Sequence, residues 1–82
     1  MKVKLLFFAA VRELVGTDEA EVELPSDVCT IQRLAAHLEQ RYEPLRGRMA
    51  SVRLARNEAF ADAADPIAEG DVIALIPPVA GG

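Results

Sequence analysis

The chain has few of the residue types from which metal sites and small catalytic sites are built. Its 82 residues include one cysteine, Cys29, and one histidine, His37. A single cysteine excludes an internal disulfide, and one cysteine with one histidine cannot supply the ligands of a zinc site. We therefore expect no metal. Cys29 lies just before a predicted helix and could be a nucleophile there, but packing is favoured because no histidine is near it in sequence.

Positive charge is also scarce. Nine Lys and Arg residues face thirteen Asp and Glu residues, which gives a formal net charge of -4. Binding to a phosphate backbone depends on clustered basic residues, so we expect no nucleic-acid partner. Five of the arginines lie between positions 41 and 56. A solvated face explains that grouping better than a binding patch does.

Long hydrophobic runs are missing as well. No stretch approaches the ~20 apolar residues of a membrane span. The apolar run over residues 5–11 ends at Arg12 and Glu13 without a cleavage site, so it is not a signal peptide, and we expect a cytoplasmic protein. A chain of this length is expected to form one domain, residues 1–82, with a small core and little room for a deep active site. An accessory role is therefore favoured over a complete enzyme.

The apolar residues that are present follow clear periodicities. Residues 31, 34, 35, 38 and 42 form one helical stripe, with Thr30 as the predicted N-cap and Pro44 marking the end. A short helical segment over residues 9–15 is expected to end at Gly16. Alternating or continuous apolar runs predict five extended segments, which are residues 3–8, 20–24, 50–55, 59–61 and 72–76.

This order of elements predicts an α+β fold. The most apolar strands come first and last, which suggests that they pair at the centre of the sheet, and one helix covers one sheet face. The β-grasp, or ubiquitin-like, roll has this order: a mixed sheet of about four to five strands with one main amphipathic helix. In that arrangement the chain leaves from the middle of the sheet, so we expect a flexible tail over residues 77–82 on a rigid base.

The tail is the one credible carrier of chemistry in the sequence. It reads Pro77-Pro78-Val79-Ala80-Gly81-Gly82. Two prolines stop the strand, and the last two glycines leave a terminal carboxylate that a narrow slot could admit. A carboxylate must be activated before it can transfer an acyl group, most directly by ATP to give an acyl adenylate that a sulfur or nitrogen nucleophile can attack. A chain end of no special role is the alternative.

The motifs of the chain resemble those of the small subunits of molybdopterin synthase (the MoaD family), which are β-grasp sulfur carriers. The similarity covers essentially the whole chain. It rests on residues 6–9 leading to residues 11–16, on residues 70–72 at the start of the last strand, and on residues 77–82.

The resemblance implies a mechanism and partners. An ATP-dependent activating enzyme would adenylate Gly82, which would then become a thiocarboxylate. With Gly81 giving access, the tail would enter the large synthase subunit, where the sulfur passes to cyclic pyranopterin monophosphate to build the molybdopterin dithiolene. Two carriers would serve a dimer of large subunits as a heterotetramer. The chain itself would bind no cofactor and would not be catalytic alone.

The resemblance also implies a docking surface. By position in the matching motifs, Phe8, Phe60 and Ile76 are the expected apolar contacts and Arg12 a polar one, and the tail residues that contact the partner are Pro77, Pro78, Val79 and Ala80. The sequence departs from the family at Ile76 and its neighbour, which are aliphatic where aromatics are frequent. Two alternatives stay open: a thiamine-type sulfur carrier, although these are usually shorter and lack the Pro-Pro-Val lead, and a ubiquitin-like protein modifier.

Overall fold

A computed structural model describes residues 1–78, in which five strands and two α-helices are formed. The strands are β1 (Lys2–Phe7), β2 (Glu19–Glu23), β3 (Arg53–Arg56), β4 (Ala59–Phe60) and β5 (Val72–Ile76). The helices are α1 (Ala9–Val15) and α2 (Ile31–Arg41), and two short 3-10 helices cover Glu43–Leu45 and Met49–Ser51.

The strands form one mixed sheet in the order β2-β1-β5-β3-β4. Strands β1 and β5 are parallel neighbours at its centre, and the other three pairings are antiparallel. This is the predicted β-grasp arrangement, and its central parallel pair is confirmed. Because β5 lies between β1 and β3, both of its edges are hydrogen-bonded, and the chain leaves the sheet from a well-supported position.

The core lies between one face of the sheet and α2. Leu5 and Phe7 on β1 are fully or almost fully buried, as are Ile73 and Leu75, which pair with them on β5. Helix α2 contributes its apolar stripe to the same cluster. Each such side chain contributes about 1.5–3 kcal/mol through removal from water. The core therefore fixes which face of the central strands points inward.

Local signals at the ends of the two helices have the expected geometry. The Arg33 N–H donates to Thr30 Oγ1 at 3.3 Å, which makes Thr30 the N-cap of α2. Gly16 ends α1 with a φ of 91° and donates its N–H to the Arg12 carbonyl at 2.8 Å. A left-handed residue at this position favours glycine, since other residues clash there.

Two sequence expectations were wrong. The third strand was predicted to begin at residue 50, but Met49–Ser51 is a 3-10 helix and β3 begins at Arg53. Its start is delayed because the Glu39 carboxylate accepts hydrogen bonds from the Gly47 and Met49 N–H groups, which holds the preceding turn against α2. Cys29 is exposed rather than packed, because the preceding residue, Val28, takes the inward position.

Asp71 is the only charged residue that is buried among residues 1–78. Its carboxylate accepts hydrogen bonds from Arg56 Nε, from Asn57 Nδ2 at 3.0 Å and from the Ala68 N–H at 2.7 Å. Burial alone would raise the pKa of Asp71, but these hydrogen bonds and the positive charge of Arg56 outweigh it and hold the pKa below its ordinary value of 3.8. The network ties the turn before β5 to the end of β3.

We expect Asp71→Asn to lower the free energy of unfolding by about 2 kcal/mol at neutral pH, since the buried network loses the negative charge and one of its two acceptor oxygens becomes an NH2 donor. Because the folded pKa is depressed, the contribution of Asp71 is complete above its unfolded pKa and is lost as pH falls through the folded pKa. Urea unfolding of both proteins between about pH 7 and pH 2 should thus show the difference narrowing in acid. A difference that is constant with pH would contradict this role.

Candidate docking face and tail exit

The sheet face opposite α2 carries an apolar surface. On β1 and β5 the residues that alternate with the core positions point outward and are only half-buried, including Leu6, Ala74 and Ile76. With residues from β3, β4 and the adjoining loops they line a shallow hollow of about 270 Å³. We call this surface the open face; the hollow is lined by Leu6, Phe8, Ala55, Glu58, Phe60, Val72, Ala74 and Ile76.

The strand register explains why the open face is concave. Ala55 on β3 is the direct neighbour of Ala74 on β5, and Ala74 is in turn the neighbour of Leu6 on β1. The methyl side chains of these two alanines leave space at the centre of the face. Larger side chains, among them Phe8 and Phe60, surround that space. The face can therefore accept a protruding apolar side chain from another molecule.

Phe8 and Phe60 are the two exposed large hydrophobic residues of the described chain, at 46% and 58% exposure. Exposed aromatic rings beside a hollow are typical of protein-binding surfaces, because covering them removes a large apolar area from water. The Arg53 guanidinium lies over the Phe60 ring, 3.9 Å from its centroid. This cation–π contact holds the ring against β3 and reduces the entropy that docking would cost.

Three of the four predicted docking side chains are brought together. Phe8, Phe60 and Ile76 all line the hollow, although they are far apart in sequence. Arg12 is exposed on α1 and does not line it.

The exit of the tail adjoins the open face. Strand β5 ends at Ile76, which itself borders the hollow, and the half-buried Pro77 and exposed Pro78 follow directly. Both prolines border a second hollow of about 230 Å³, whose other side is formed by α1, Arg48, Ser51 and Val52. The remaining predicted tail residues, Val79, Ala80, Gly81 and Gly82, lie outside the described residues.

The described part of the chain holds no cluster of reactive side chains, and its one cysteine, Cys29, is a single exposed thiol. Within residues 1–78, no three His, Cys, Asp or Glu side chains are grouped so that they could hold a metal ion. Asp71 has a lowered pKa, but its carboxylate is occupied by hydrogen bonds to Arg56, Asn57 and Ala68. None of the helices in residues 1–78 is long and apolar enough to cross a membrane.

Sequence reasoning missed several parts of the open face. The apolar run of β5 hid which residues point outward, because every position in it is hydrophobic. Ala55 and Ala74 gave no signal, since their importance arises from cross-strand pairing. The pairing of β3 with β4 determines both the contact between Arg53 and Phe60 and the position of Glu58. From the sequence, β4 was predicted only as a short extended segment.

Comparisons with known proteins agree over nearly the whole chain. The model of the ThiS family matches residues 5–82. The molybdopterin synthase sulfur carrier subunit of Escherichia coli (strain K12) is 38% identical over 82 residues, which cover 98% of this chain and 99% of that protein. The corresponding subunit of Mycobacterium tuberculosis is also 38% identical, over 100% of this chain and 99% of that protein.

Solved structures share the fold. A putative molybdopterin converting factor, subunit 1, from Pyrococcus furiosus has a TM-score of 0.85 and 31% identity, and the match covers 96% of this chain and 99% of that one. SAMP1 from Haloferax volcanii has a TM-score of 0.85 and 26% identity over 100% of both chains. A complex of subunits 1 and 2 of the molybdopterin-converting factor from Helicobacter pylori matches with a TM-score of 0.71 and 29% identity over 100% of both chains.

Proposed function

The chain belongs to the ThiS family, and on that premise we propose that it is the sulfur-carrier subunit of a molybdopterin synthase. The observation that carries the proposal is its 38% identity to the Escherichia coli sulfur carrier subunit along nearly the full length of both proteins. The chemistry of the tail fits, because a carboxylate on Gly82 would have no neighbouring side chain to obstruct it. Among residues 1–78 the one exposed thiol, Cys29, has no histidine near it in sequence and belongs to no cluster of metal-binding side chains.

The proposed reaction begins outside this chain. An activating enzyme uses ATP to adenylate the Gly82 carboxylate, with release of pyrophosphate. A sulfur nucleophile displaces AMP and leaves a thiocarboxylate. The large subunit then catalyses transfer of that sulfur to cyclic pyranopterin monophosphate, and the carboxylate of Gly82 is regenerated. ATP is thus consumed by the activating enzyme and is not a cofactor of this chain. Because the reaction requires ATP, we also propose a cytoplasmic location.

The open face supports the choice of partner. A complex of two subunits of the molybdopterin-converting factor exists for the Helicobacter pylori protein, and we propose the same pairing here, as a heterotetramer built on a dimer of large subunits. A large subunit that covers Phe8, Phe60 and Ile76 would sit directly beside Pro77, because Ile76 is the residue before it. Docking on this face therefore directs the tail toward the partner, with Arg12 as a polar contact at the side.

A second function is favoured by one specific observation. SAMP1, whose name stands for small archaeal modifier protein 1, matches this chain over its full length with a TM-score of 0.85. A modifier would use the same adenylated Gly82, but a lysine amine of a target protein would displace AMP and form an isopeptide bond. The two functions thus differ in the nucleophile that receives the acyl group.

Reconstitution separates these functions. The purified chain, the activating enzyme, ATP, a sulfur source, the large subunit and cyclic pyranopterin monophosphate should together yield molybdopterin, and leaving out the chain or ATP should stop its formation. Molybdopterin is measured by fluorescence of its oxidised derivative. Thiocarboxylate without molybdopterin would indicate another acceptor, such as a thiamine-type pathway. Ladders of isopeptide-linked proteins in place of either product would favour the modifier.

A further inference from the structure

Glu58 is an unusual member of the open face. Of the described residues that line the hollow, it alone is charged, and the other seven are apolar. It belongs to the two-residue turn that joins β3 to β4, and its φ is 74°. Glycine is the residue that such a turn favours at this point, because it accepts positive φ without a steric penalty. A glutamate here is held in a strained backbone conformation.

The neighbouring residue shows how such strain is normally compensated. Asn57 also has a positive φ, of 51°, but asparagine tolerates this conformation, and both polar atoms of its side chain form hydrogen bonds. Asn57 Nδ2 donates to the Asp71 carboxylate at 3.0 Å, and Asn57 Oδ1 accepts from the Val72 N–H at 2.9 Å. The Glu58 carboxylate has no hydrogen bond or ion pair with any residue in 1–78. Its presence in the turn has no structural explanation within the described chain.

If a partner covered the hollow, the Glu58 carboxylate would need a compensating positive charge. A partner that packs on Phe60 and Phe8 excludes water from their surroundings, and a carboxylate left unpaired at such an interface is unfavourable. Both arginines of the β3–β4 hairpin are engaged elsewhere, since Arg53 is stacked on Phe60 and Arg56 pairs with Asp71. The partner must therefore bring the compensating charge.

We infer that Glu58 is a specificity-determining residue of the open face, which selects a partner segment that combines an apolar side chain with a lysine or arginine. The apolar side chain would enter the hollow above Ala55 and Ala74, and the cation would pair with the Glu58 carboxylate at its edge. This inference rests on the proposed function, since it takes the large synthase subunit as the partner. A residue retained in a strained conformation beside a binding surface fits such a functional role.

Titration of variants into the purified large subunit tests the inference. Glu58→Gln keeps the shape and the backbone strain but removes the charge, so the complex should weaken about tenfold and its affinity should become less dependent on salt. Glu58→Lys should weaken it further, by repulsion of the partner cation. Glu58→Gly should bind as weakly as Glu58→Gln, but its melting temperature should rise by roughly 4 °C, because glycine relieves the strain.

Two controls keep this test separate from that of the docking face. Glu43→Gln removes an exposed acid on the 3-10 helix that follows α2, outside the hollow, and should leave binding unchanged. Phe60→Ala should weaken the complex whether or not Glu58 pairs with a partner cation. Weaker binding by Phe60→Ala together with unchanged binding by Glu58→Gln would overturn the role of Glu58 and leave the proposed function standing. No complex with the wild-type chain would overturn both.

Discussion

Deletion of Gly82 is expected to abolish formation of the thiocarboxylate and of molybdopterin, while the free energy of unfolding changes by less than about 0.5 kcal/mol. The shortened chain still ends in a glycine carboxylate, but its reach is about 3.5 Å less. The carbonyl carbon would then stop short of the nucleotide in the activating enzyme, and displacements of about 1 Å already reduce rates by two orders of magnitude. Sulfur incorporation and urea unfolding measure the two halves of this prediction.

A matched variant isolates the length of the tail from its width. Gly81→Leu keeps the length, but its side chain should block a slot that admits only glycine, so it should also fail in sulfur transfer while it folds normally. If the Gly82 deletion transferred sulfur as well as the wild type, the central role assigned to that residue would be wrong. Loss of folding in either variant would instead indicate a structural role for the tail.

Two neighbouring residues on β5 should respond to the same substitution in opposite ways. Ile76 points toward the open face and is half-buried, whereas Leu75 is fully buried in the core. Ile76→Asp should leave a folded protein that binds the large subunit at least ~100-fold more weakly, because it places a carboxylate where an apolar contact is needed. Leu75→Asp should unfold the chain, because a buried carboxylate and the lost apolar contact exceed the ~5 kcal/mol that stabilises a small domain.

Circular dichroism and a binding titration distinguish the two outcomes. Ile76→Asp should retain the wild-type spectrum and lose binding, and Leu75→Asp should lose the spectrum. An unfolded Ile76→Asp variant would mean that this side chain supports the core. A folded Ile76→Asp variant that binds normally would remove this end of the open face from the interface.

The fold was largely predictable because its signals are local and repeated. The stripe of α2, the cap at Thr30 and the continuous apolar run of β5 each indicate their element directly, and their order indicates a central parallel pair. The late start of β3 was not predictable, because Glu39 acts on the preceding turn from ten residues away in sequence. The expected packing of Cys29 was wrong for a related reason. Its exposure follows from the inward position of Val28, which depends on the tertiary fold.

The candidate site was predictable only in part. The resemblance pointed to Phe8, Phe60 and Ile76, and the structure shows that they line one hollow. The shape of that hollow comes from the pairing of Ala55 with Ala74 and from a turn with positive φ, and neither follows from residue types alone. Cross-strand register decides which small residues meet, so the concave centre and Glu58 could be recognised only once the sheet was known.

Whether Gly82 carries sulfur can be measured by intact-protein mass spectrometry after incubation with ATP, a sulfur source and the activating enzyme. We expect a mass gain equal to the replacement of one oxygen atom by one sulfur atom, and fragmentation should locate it at Gly82. The gain should disappear when ATP is omitted. An unchanged mass under conditions in which the activating enzyme modifies a known sulfur carrier, or a gain located away from Gly82, would show that Gly82 does not carry the sulfur.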